Sequence, residues 1–254
     1  MEDFECIILA AGEGTRMKSS LPKVLHRVSG IPMIFYVIDS LKSLGDIPAI
    51  IVTGYGSELV QSAIKEHYQS MKIRFAYQEK RLGTADAVKT ALALGTQSKN
   101  IIILMGDMPL VSSKSISHLI REHLSKKNSI TIALSHLDDP SGYGRIIRSS
   151  DEKILMIKEE RDCNPTEKKI KEVNTGIYCF NSDFLKTFII KIKNNNSAGE
   201  FYLTDIVELG SREPDIKIGA TMIPQEEAIG INEKAQIEKV EKILLERTKK
   251  ENHC

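Results

Sequence analysis

The stretch CIILAAGEGTRMKSSLPKVLH, residues Cys6–His26, runs from a short apolar segment into a glycine-rich turn that is followed by cations. A continuous apolar run that ends at glycine predicts a buried strand. A glycine-rich turn between a strand and a helix presents unpaired backbone N–H groups, which can bind an anion. Such turns also occur without any ligand, so the residues that follow this turn in the chain decide between a phosphate-binding loop and an ordinary turn.

The cations behind the turn favour phosphate binding. Arg16 and Lys23 lie close to it in the chain, and Pro22 restrains the backbone immediately before Lys23. A guanidinium offers a planar fork of donors and an ammonium a compact charge, and together they suit a polyphosphate better than a single carboxylate. The alternative is a solvated pair of basic side chains beside an ordinary turn.

The spacing of the glycines excludes the two common nucleotide-binding loops. The P-loop pattern GxxxxGK[ST], started at Gly12, requires a second glycine where Met17 stands. The dinucleotide pattern GxGxxG accepts Gly12 and Gly14 but again requires a glycine in place of Met17. A phosphate-binding loop of another kind is therefore predicted.

The rest of the first half alternates apolar strand patterns with helical ones. This alternation predicts βαβ units and a Rossmann-like, mainly parallel α/β sheet with helices on both faces. The predicted strands are 49–56, 73–78 and 101–107, and the predicted helices are 32–45, 58–68, 85–95 and 116–124.

After Ser129 the pattern changes to successive strands with few helical residues between them. No linker precedes them, so we expect an antiparallel insertion on the parallel sheet within one domain that spans residues 1–254. Residues 1–128 form its first half, 129–231 the insertion and the elements after it, and 232–254 a terminal helix. The predicted later strands are 129–136, 144–150, 153–160, 173–180 and 216–223, with helices in 184–192 and 200–210.

Composition narrows the range of functions. The 35 basic and 34 acidic residues leave a formal charge of +1, which argues against an extended nucleic-acid surface. The four cysteines lie far apart with no CxxC pair, which excludes the usual spacing of a cysteine metal site and disfavours a disulfide framework. No apolar run approaches a membrane span, and the acidic start MEDFE is unlike a signal peptide. We therefore expect a soluble cytoplasmic protein that binds neither nucleic acid nor membrane.

A carboxylate stands at the end of another predicted strand. Asp107 follows the apolar run IIILMG, and ligands of open α/β sheets collect outside the carboxyl ends of the strands. Asp107 and the loop at Gly12 should therefore share one edge of the sheet. An aspartate that faces a polyphosphate most simply holds Mg²⁺, which takes few protein ligands. The alternative is an aspartate that caps the next helix.

Seven quoted stretches together resemble one family. They are LAAGEGTRMKSSLPKVLH, YQEKRLGTADA, MGDMPL, DDPSGYGR, EVNTGIY, NNNSAGEFYLTD and IGIN, all in order along the chain. Their pattern is similar to the signature of the sugar-nucleotide pyrophosphorylases, and in detail to the uridylyltransferase domain of bacterial N-acetylglucosamine-1-phosphate uridylyltransferases. The resemblance covers nearly the whole chain, which makes it far more specific than a single motif.

The resemblance implies a nucleotide-diphospho-sugar transferase fold, Mg²⁺ as cofactor and a set of site residues. Arg16 and Lys23 would clamp the triphosphate of UTP and stabilise charge in catalysis, and Asp107 and Asn232 would hold Mg²⁺. The implied nucleotide-binding residues are Leu9, Ala10, Ala11, Gly12, Gln78, Gly83 and Thr84. The implied residues for the amino sugar are Gly144, Glu159, Asn174, Tyr202 and Thr204.

Several of these residues have plainer alternatives. Asn232 could be the N-cap of the last helix, and Asn174 a turn at the end of a strand. Gln78 and Thr84 could be ordinary loop residues. The assignment of Glu159 depends on its spacing to Asn174, because a second glutamate follows it directly.

The implied reaction joins UTP and N-acetylglucosamine 1-phosphate to give UDP-N-acetylglucosamine, a cell-wall precursor, and pyrophosphate. A phosphate nucleophile is already ionised at neutral pH and needs no general base. That agrees with a sequence in which no convincing Ser–His–Asp or Cys–His set is found. The alternatives are transfer to glucose 1-phosphate, a related cytidylyltransferase, or an inactive regulatory protein that binds nucleotide sugars.

The chain departs from the bifunctional members of the family at its end. Those proteins continue into hexapeptide repeats that form an acetyltransferase, whereas this chain ends in a charged helical segment. We therefore expect neither the acetyltransferase nor the trimer contacts that it supplies, and we expect a monomer or a weak dimer.

Overall fold

A computed structural model describes residues 3–251 and is built on one nine-stranded sheet, with a separate two-stranded hairpin. In chain order the strands are β1 (Phe4–Ala10), β2 (Arg27–Val28), β3 (Ile31–Pro32), β4 (Ala49–Thr53), β5 (Ile73–Tyr77), β6 (Asn100–Met105), β7 (Ile130–His136), β8 (Arg145–Arg148), β9 (Ile154–Lys158), β10 (Glu172–Asn181) and β11 (Ile218–Met222). The helices are α1 (Met33–Lys42), α2 (Ser57–His67), α3 (Thr84–Leu92), α4 (Ser113–Lys126), α5 (Ser182–Ile189), α6 (Asp205–Ser211) and α7 (Lys234–Glu251).

The first half of the chain forms the parallel part of the sheet, as predicted. The strand order β6-β1-β4-β5 is parallel throughout, with Cys6 opposite both Ala49 and Ile102. Every residue of β1 is buried, and its alternate side chains enter two separate cores. Ile8 belongs to the core that contains α1 and α4, and Ile7 to the core that contains α3 and α5. Strands covered on both faces need apolar residues on both faces, which explains the unbroken apolar runs.

The second half supplies the antiparallel part. β10 pairs antiparallel with both β6 and β7, and the hairpin β8–β9 joins the sheet through the contact of Val173 with Arg145. The predicted insertion is therefore continuous with the parallel sheet. β11 returns to pair with β7 in parallel, after the chain has crossed through α5 and α6.

The last helix of the described residues packs against the body of the fold. Val240 of α7 is fully buried, and Ile237, Ile243 and Leu244 lie against the same core as α1. The helix begins at Lys234, two residues later than predicted. Of the four cysteines, Cys6, Cys163 and Cys179 are free thiols, while Cys254 lies outside the described residues. Across residues 3–251, no helix has the length and apolar character that crossing a bilayer demands.

Candidate active site

Two adjoining cavities open at the carboxyl ends of the parallel strands. The loop cavity, about 550 Å³, is lined by the turn after β1 and the segment before α3, and includes Gly12 and Gln78. The insertion cavity, about 370 Å³, is lined by the loop before β8 and by β10, and includes Gly144 and Asn174. Both cavities share several lining residues, so they form one cleft. The shared residues are Leu9, Arg16, Thr84, Met105, Asp107, Glu159 and Asn232.

Each residue predicted for the site lies on this cleft. The loop cavity is lined by Leu9, Ala10, Ala11, Gly12, Arg16, Lys23, Gln78, Gly83, Thr84, Asp107, Glu159, Tyr202 and Asn232. The insertion cavity adds Gly144, Asn174 and Thr204. The structure thus brings together residues that are separated by more than two hundred positions in the chain. Their chemical roles remain predictions.

The turn after β1 is shaped by a close contact with Lys23. Gly14 has a φ of 69°, and a Cβ placed there would lie 2.7 Å from Cβ of Lys23. Only glycine allows both this backbone and this approach. Met17, which stands where a glycine would complete either common nucleotide motif, is 1% exposed and belongs to the core. That position therefore serves packing, which is the physical reason why both motifs fail here.

A single ammonium group joins the loop to the end of β6 and to the segment before α7. Lys23 is buried, and its Nζ forms an ion pair with the carboxylate of Asp107. The same Nζ donates a hydrogen bond of 2.8 Å to Oδ1 of Asn232. Asp107 is held in turn through its carbonyl oxygen, which accepts from the N–H of Ile231 at 2.9 Å.

The oxygens around this ammonium are suitable ligands for a divalent cation. A carboxylate oxygen of Asp107 and the amide oxygen of Asn232 both contact Nζ of Lys23, so the two oxygens converge on one position. Mg²⁺ prefers such oxygens and accepts as few as one or two of them from protein. No group of three or more His, Cys, Asp or Glu side chains among residues 3–251 could hold a metal. A Mg²⁺ ion here would therefore take its remaining ligands from substrate and water.

Asn232 does not act as the N-cap of the last helix. Its side-chain oxygen faces Lys23, while the backbone N–H groups of Asn232 and Glu233 donate to Oε1 of Gln236 at 2.5 and 3.1 Å. The alternative interpretation of Asn232 is therefore wrong. Gln236 supplies the acceptor at the helix start, which leaves the Asn232 side chain available to the cleft.

Gln78 is buried and holds the segment before α3 together. Its Nε2 donates to the carbonyl of Gly83 at 3.1 Å and to Oδ2 of Asp86 at 2.8 Å. An amide has only two N–H donors, so a ligand in the loop cavity can use only the side-chain oxygen of Gln78. Thr84 is tied to the other side of the cleft, because its Oγ1 accepts from the N–H of Leu203 at 2.9 Å.

Glu159 and its neighbour Glu160 have different surroundings. Glu159 accepts a hydrogen bond from Thr204 Oγ1 at 2.9 Å and lines both cavities. Burial raises its pKa above the ordinary value for glutamate, and the hydrogen bond from Thr204 partly opposes this. Glu160 instead pairs with the buried Arg145. The glutamate that faces the cleft is thus the one predicted.

A β-bulge shapes the NTG segment of β10. The pairing of β10 with β7 slips between Asn174 and Tyr178, and Gly176 within this stretch has a φ of 82°. A Cβ on Gly176 would lie 3.0 Å from Cγ of Met105. Extra residues in a bulge redirect side chains, and here Asn174 lines the insertion cavity. Its backbone N–H donates to the carbonyl of Gly144 at 2.9 Å, which joins two of the predicted residues.

Several lining residues were not predicted from the sequence. Arg81 lines the loop cavity and forms a 2.5 Å ion pair with Glu13 of the turn after β1. It stands between Gln78 and Gly83, inside a quoted block, and its position there was the available signal. Tyr143 and Tyr178 line the insertion cavity. Both tyrosines are distant in sequence from Arg16 and Lys23, the residues predicted to bind phosphate, and the folded sheet brings all four to the same cleft.

Comparisons with known proteins agree with this architecture. A family model described as Nucleotidyl transferase matches residues 5–217. The chain is 43% identical over 247 residues to the bifunctional protein GlmU of Thermoanaerobacter pseudethanolicus, and 42% identical over 246 residues to that of Clostridium botulinum. These matches cover 97% and 96% of this chain but 53% of each relative, so the chain spans about half the length of the relatives.

Solved structures share the fold at low sequence identity. A UDP-glucose pyrophosphorylase complexed with UDP-glucose superimposes with a TM-score of 0.76 at 16% identity, over 96% of this chain and 98% of the other. A Bacillus anthracis protein described as a glucose-1-phosphate thymidylyltransferase gives a TM-score of 0.74 at 23% identity, over 94% of each chain. At these identities the likeness concerns the fold alone, and it bears out the predicted fold class.

Proposed function

Because this chain belongs to the nucleotidyl transferase family, we propose that it transfers a uridylyl group from UTP to N-acetylglucosamine 1-phosphate. The products are UDP-N-acetylglucosamine and pyrophosphate. The observation that carries the proposal is the convergence of Lys23, Asp107 and Asn232 where the two cavities meet. A charge-bearing site at such a junction suits a reaction that joins one ligand from each cavity.

The loop cavity suits the nucleotide. Arg16 and Lys23 supply positive charge, and the turn after β1 supplies backbone N–H groups to the triphosphate. The base would lie toward Gln78, whose side-chain oxygen can accept a hydrogen bond from N3–H of uracil. Cytosine has no N–H at this ring position, so the same acceptor favours uracil over cytosine.

Catalysis in this proposal depends on position and charge. The phosphate oxygen of the sugar phosphate attacks the α-phosphorus of UTP, and pyrophosphate leaves on the opposite side. Lys23 and Arg16 stabilise the negative charge that develops on the transferring group. Mg²⁺, held by Asp107 and Asn232, would add further charge stabilisation when bound. No side chain is required to remove a proton from the nucleophile.

The insertion cavity suits the sugar. Glu159 offers an acceptor to a sugar hydroxyl, and Thr204 orients that carboxylate. Asn174 offers an amide, and the backbone at Gly144 lies close to both, since a Cβ there would be 3.6 Å from Oε2 of Glu159. Tyr202 lines the loop cavity together with Glu159. Uncharged donors and a carboxylate acceptor are the groups that hydroxyls and an acetamide bind.

The test is an assay of pyrophosphate release from a panel of nucleoside triphosphates and sugar 1-phosphates with Mg²⁺. We expect UTP with N-acetylglucosamine 1-phosphate to be the preferred pair, and the Asp107→Asn variant to be nearly inactive with it. Preference for glucose 1-phosphate would replace the sugar in the proposal, and preference for CTP would replace the base. Turnover with none of the pairs would leave an inactive nucleotide-sugar-binding protein and would reject the enzyme proposal.

A further inference from the structure

The most deeply buried charged side chain of the insertion lies outside the cleft. Arg145, the first residue of β8, is 1% exposed and lines neither cavity. Its guanidinium donates to the carbonyl of Tyr143, to Oε2 of Glu160 at 2.6 Å and to the carbonyl of Lys168 at 3.3 Å. Its Nε is buried without a hydrogen-bond partner. Burying a charge is costly even when it is paired, so the removal of one of these partners should have a large effect on the segments that Arg145 joins.

The partners of Arg145 connect it to the sugar side of the cleft. Arg145 directly follows Gly144, and Glu160 directly follows Glu159. The strand pairing places Arg145 opposite both Val173, which precedes Asn174, and Lys158, which precedes Glu159. Three of the backbone segments that Arg145 joins therefore carry a residue predicted to bind the sugar, namely Gly144, Glu159 or Asn174, whereas the segment of Lys168 carries none.

We propose that Arg145 is a positioning residue that holds the loop of Gly144 against Glu159 and Asn174 through its ion pair with Glu160. The inference rests on the proposed function, in that the insertion cavity is the sugar side. A planar guanidinium can bridge three acceptors in different directions, whereas the ammonium of lysine is a compact charge on a shorter set of bonds. Arg145→Lys should therefore loosen the loop even though the positive charge remains.

The same hairpin offers a matched control. Arg148, three residues along β8, forms a two-bond pair with Glu172, with distances of 2.8 and 2.7 Å, and is more exposed than Arg145. Neither residue lines the two cavities. Arg148→Lys and Glu172→Gln thus disturb the hairpin by the same chemistry without touching the loop of Gly144.

The first measurement is hydrogen exchange at the backbone amide of Asn174, which donates to the carbonyl of Gly144. We expect exchange to be about tenfold faster in Arg145→Lys and in Glu160→Gln than in wild type, and close to wild type in the two control variants. Glu160→Gln provides the result if Arg145→Lys does not fold. Because this measurement needs no substrate, it decides the structural role even if the proposed function fails.

The second measurement separates the two sides of the cleft. In Arg145→Lys and Glu160→Gln, we expect KM for the sugar phosphate that wild type uses to rise about tenfold to a hundredfold. Small displacements of the residues that bind a substrate are costly. The dissociation constant for UTP should stay within about twofold of wild type, since Arg145 does not reach the loop cavity. Exchange or KM values equal to those of Arg148→Lys would overturn the proposal. An equal loss of UTP affinity would also overturn it, because that indicates general destabilisation.

Discussion

The two sides of the cleft are built differently. On the loop side, cations and backbone N–H groups follow directly after parallel strands, and Arg16 and Lys23 come from one short segment. On the insertion side, a partly buried carboxylate and uncharged groups come from segments far apart, as in the contact between Glu159 and Thr204. The first arrangement suits a highly charged ligand, and the second suits a ligand recognised through hydroxyls. Variants should therefore affect turnover on the loop side and sugar affinity on the insertion side.

The largest effect is expected from Lys23→Ala. This change removes a charge that would stabilise the transferring phosphate, and it leaves Asp107 without its ion-pair partner. We expect turnover to fall by about two to three orders of magnitude, measured as pyrophosphate release at saturating substrate. Lys18→Ala is the control, because Lys18 is exposed on the same loop. A Lys23→Ala enzyme with near-normal turnover would contradict the division between the two sides.

Asp107→Asn should have the next largest effect and should reveal the metal. The substitution keeps the shape of the side chain but removes the charge expected to bind Mg²⁺. We expect activity to fall by about two orders of magnitude. The variant should also need a higher Mg²⁺ concentration than wild type to reach half of its maximal rate. Treatment of the wild type with a chelator should abolish turnover, and added Mg²⁺ should restore it. Full activity in the presence of the chelator would exclude the metal from the mechanism.

Glu159→Gln should act on the sugar side with a smaller effect. We expect KM for the sugar phosphate to rise about tenfold, because the substitution removes one hydrogen bond to a charged group. The affinity for UTP should change little. Exposed Glu213 offers the control variant Glu213→Gln.

The pH dependence of Glu159 provides a second readout. Because burial raises its pKa, the carboxylate becomes protonated at a higher pH than an ordinary glutamate as pH falls. Wild type should bind the sugar phosphate with a lower KM than Glu159→Gln, and this difference in KM should shrink as the pH falls and the Glu159 carboxylate becomes protonated. Taking the ratio of the two enzymes cancels the titration of the substrate itself. A constant ratio across this range would contradict the role of the ionised Glu159.

The smallest effect is expected in stability, at Asp205. Burial raises its pKa to about 6, and Glu208, Glu159 and Asp162 add repulsion. A carboxyl with a raised pKa contributes stability below its ordinary pKa and loses that contribution as pH rises through the raised value. The free energy of unfolding of Asp205→Asn should thus exceed that of wild type by about 1 kcal/mol at pH 8 but not near pH 4. The effect is modest because solvent screens the charge of a partly exposed carboxyl. Urea unfolding at both pH values measures this, with exposed Asp183→Asn as control.

The parallel half shows how far local pattern can be followed. Apolar runs that end at glycine predicted β1 and β6, and Asp107 was expected beside the turn at Gly12 because the strands are parallel. The ion pair of Lys23 with Asp107 agrees with that expectation. Arg81 was missed although it stands inside a quoted block, because its side chain alone does not show whether it faces a cavity or solvent.

The insertion shows where local pattern stops. Its strands were predicted, yet the bulge at Gly176 and the burial of Arg145 were not. A bulge depends on the register between two strands, and a buried arginine depends on acceptors from three separate segments. Neither leaves a periodic signal in the chain.

The amino-acid sequence by itself determined the alternation of strands and helices, the parallel core and the candidate residues at the strand ends. Periodicity and spacing are local properties, and they can be read from the chain. Only the tertiary structure decided that Asn232 turns to Lys23 instead of capping α7, and that Glu159 rather than Glu160 faces the cleft. Those outcomes depend on which distant group satisfies each buried charge or donor, and that becomes defined only when the chain is packed.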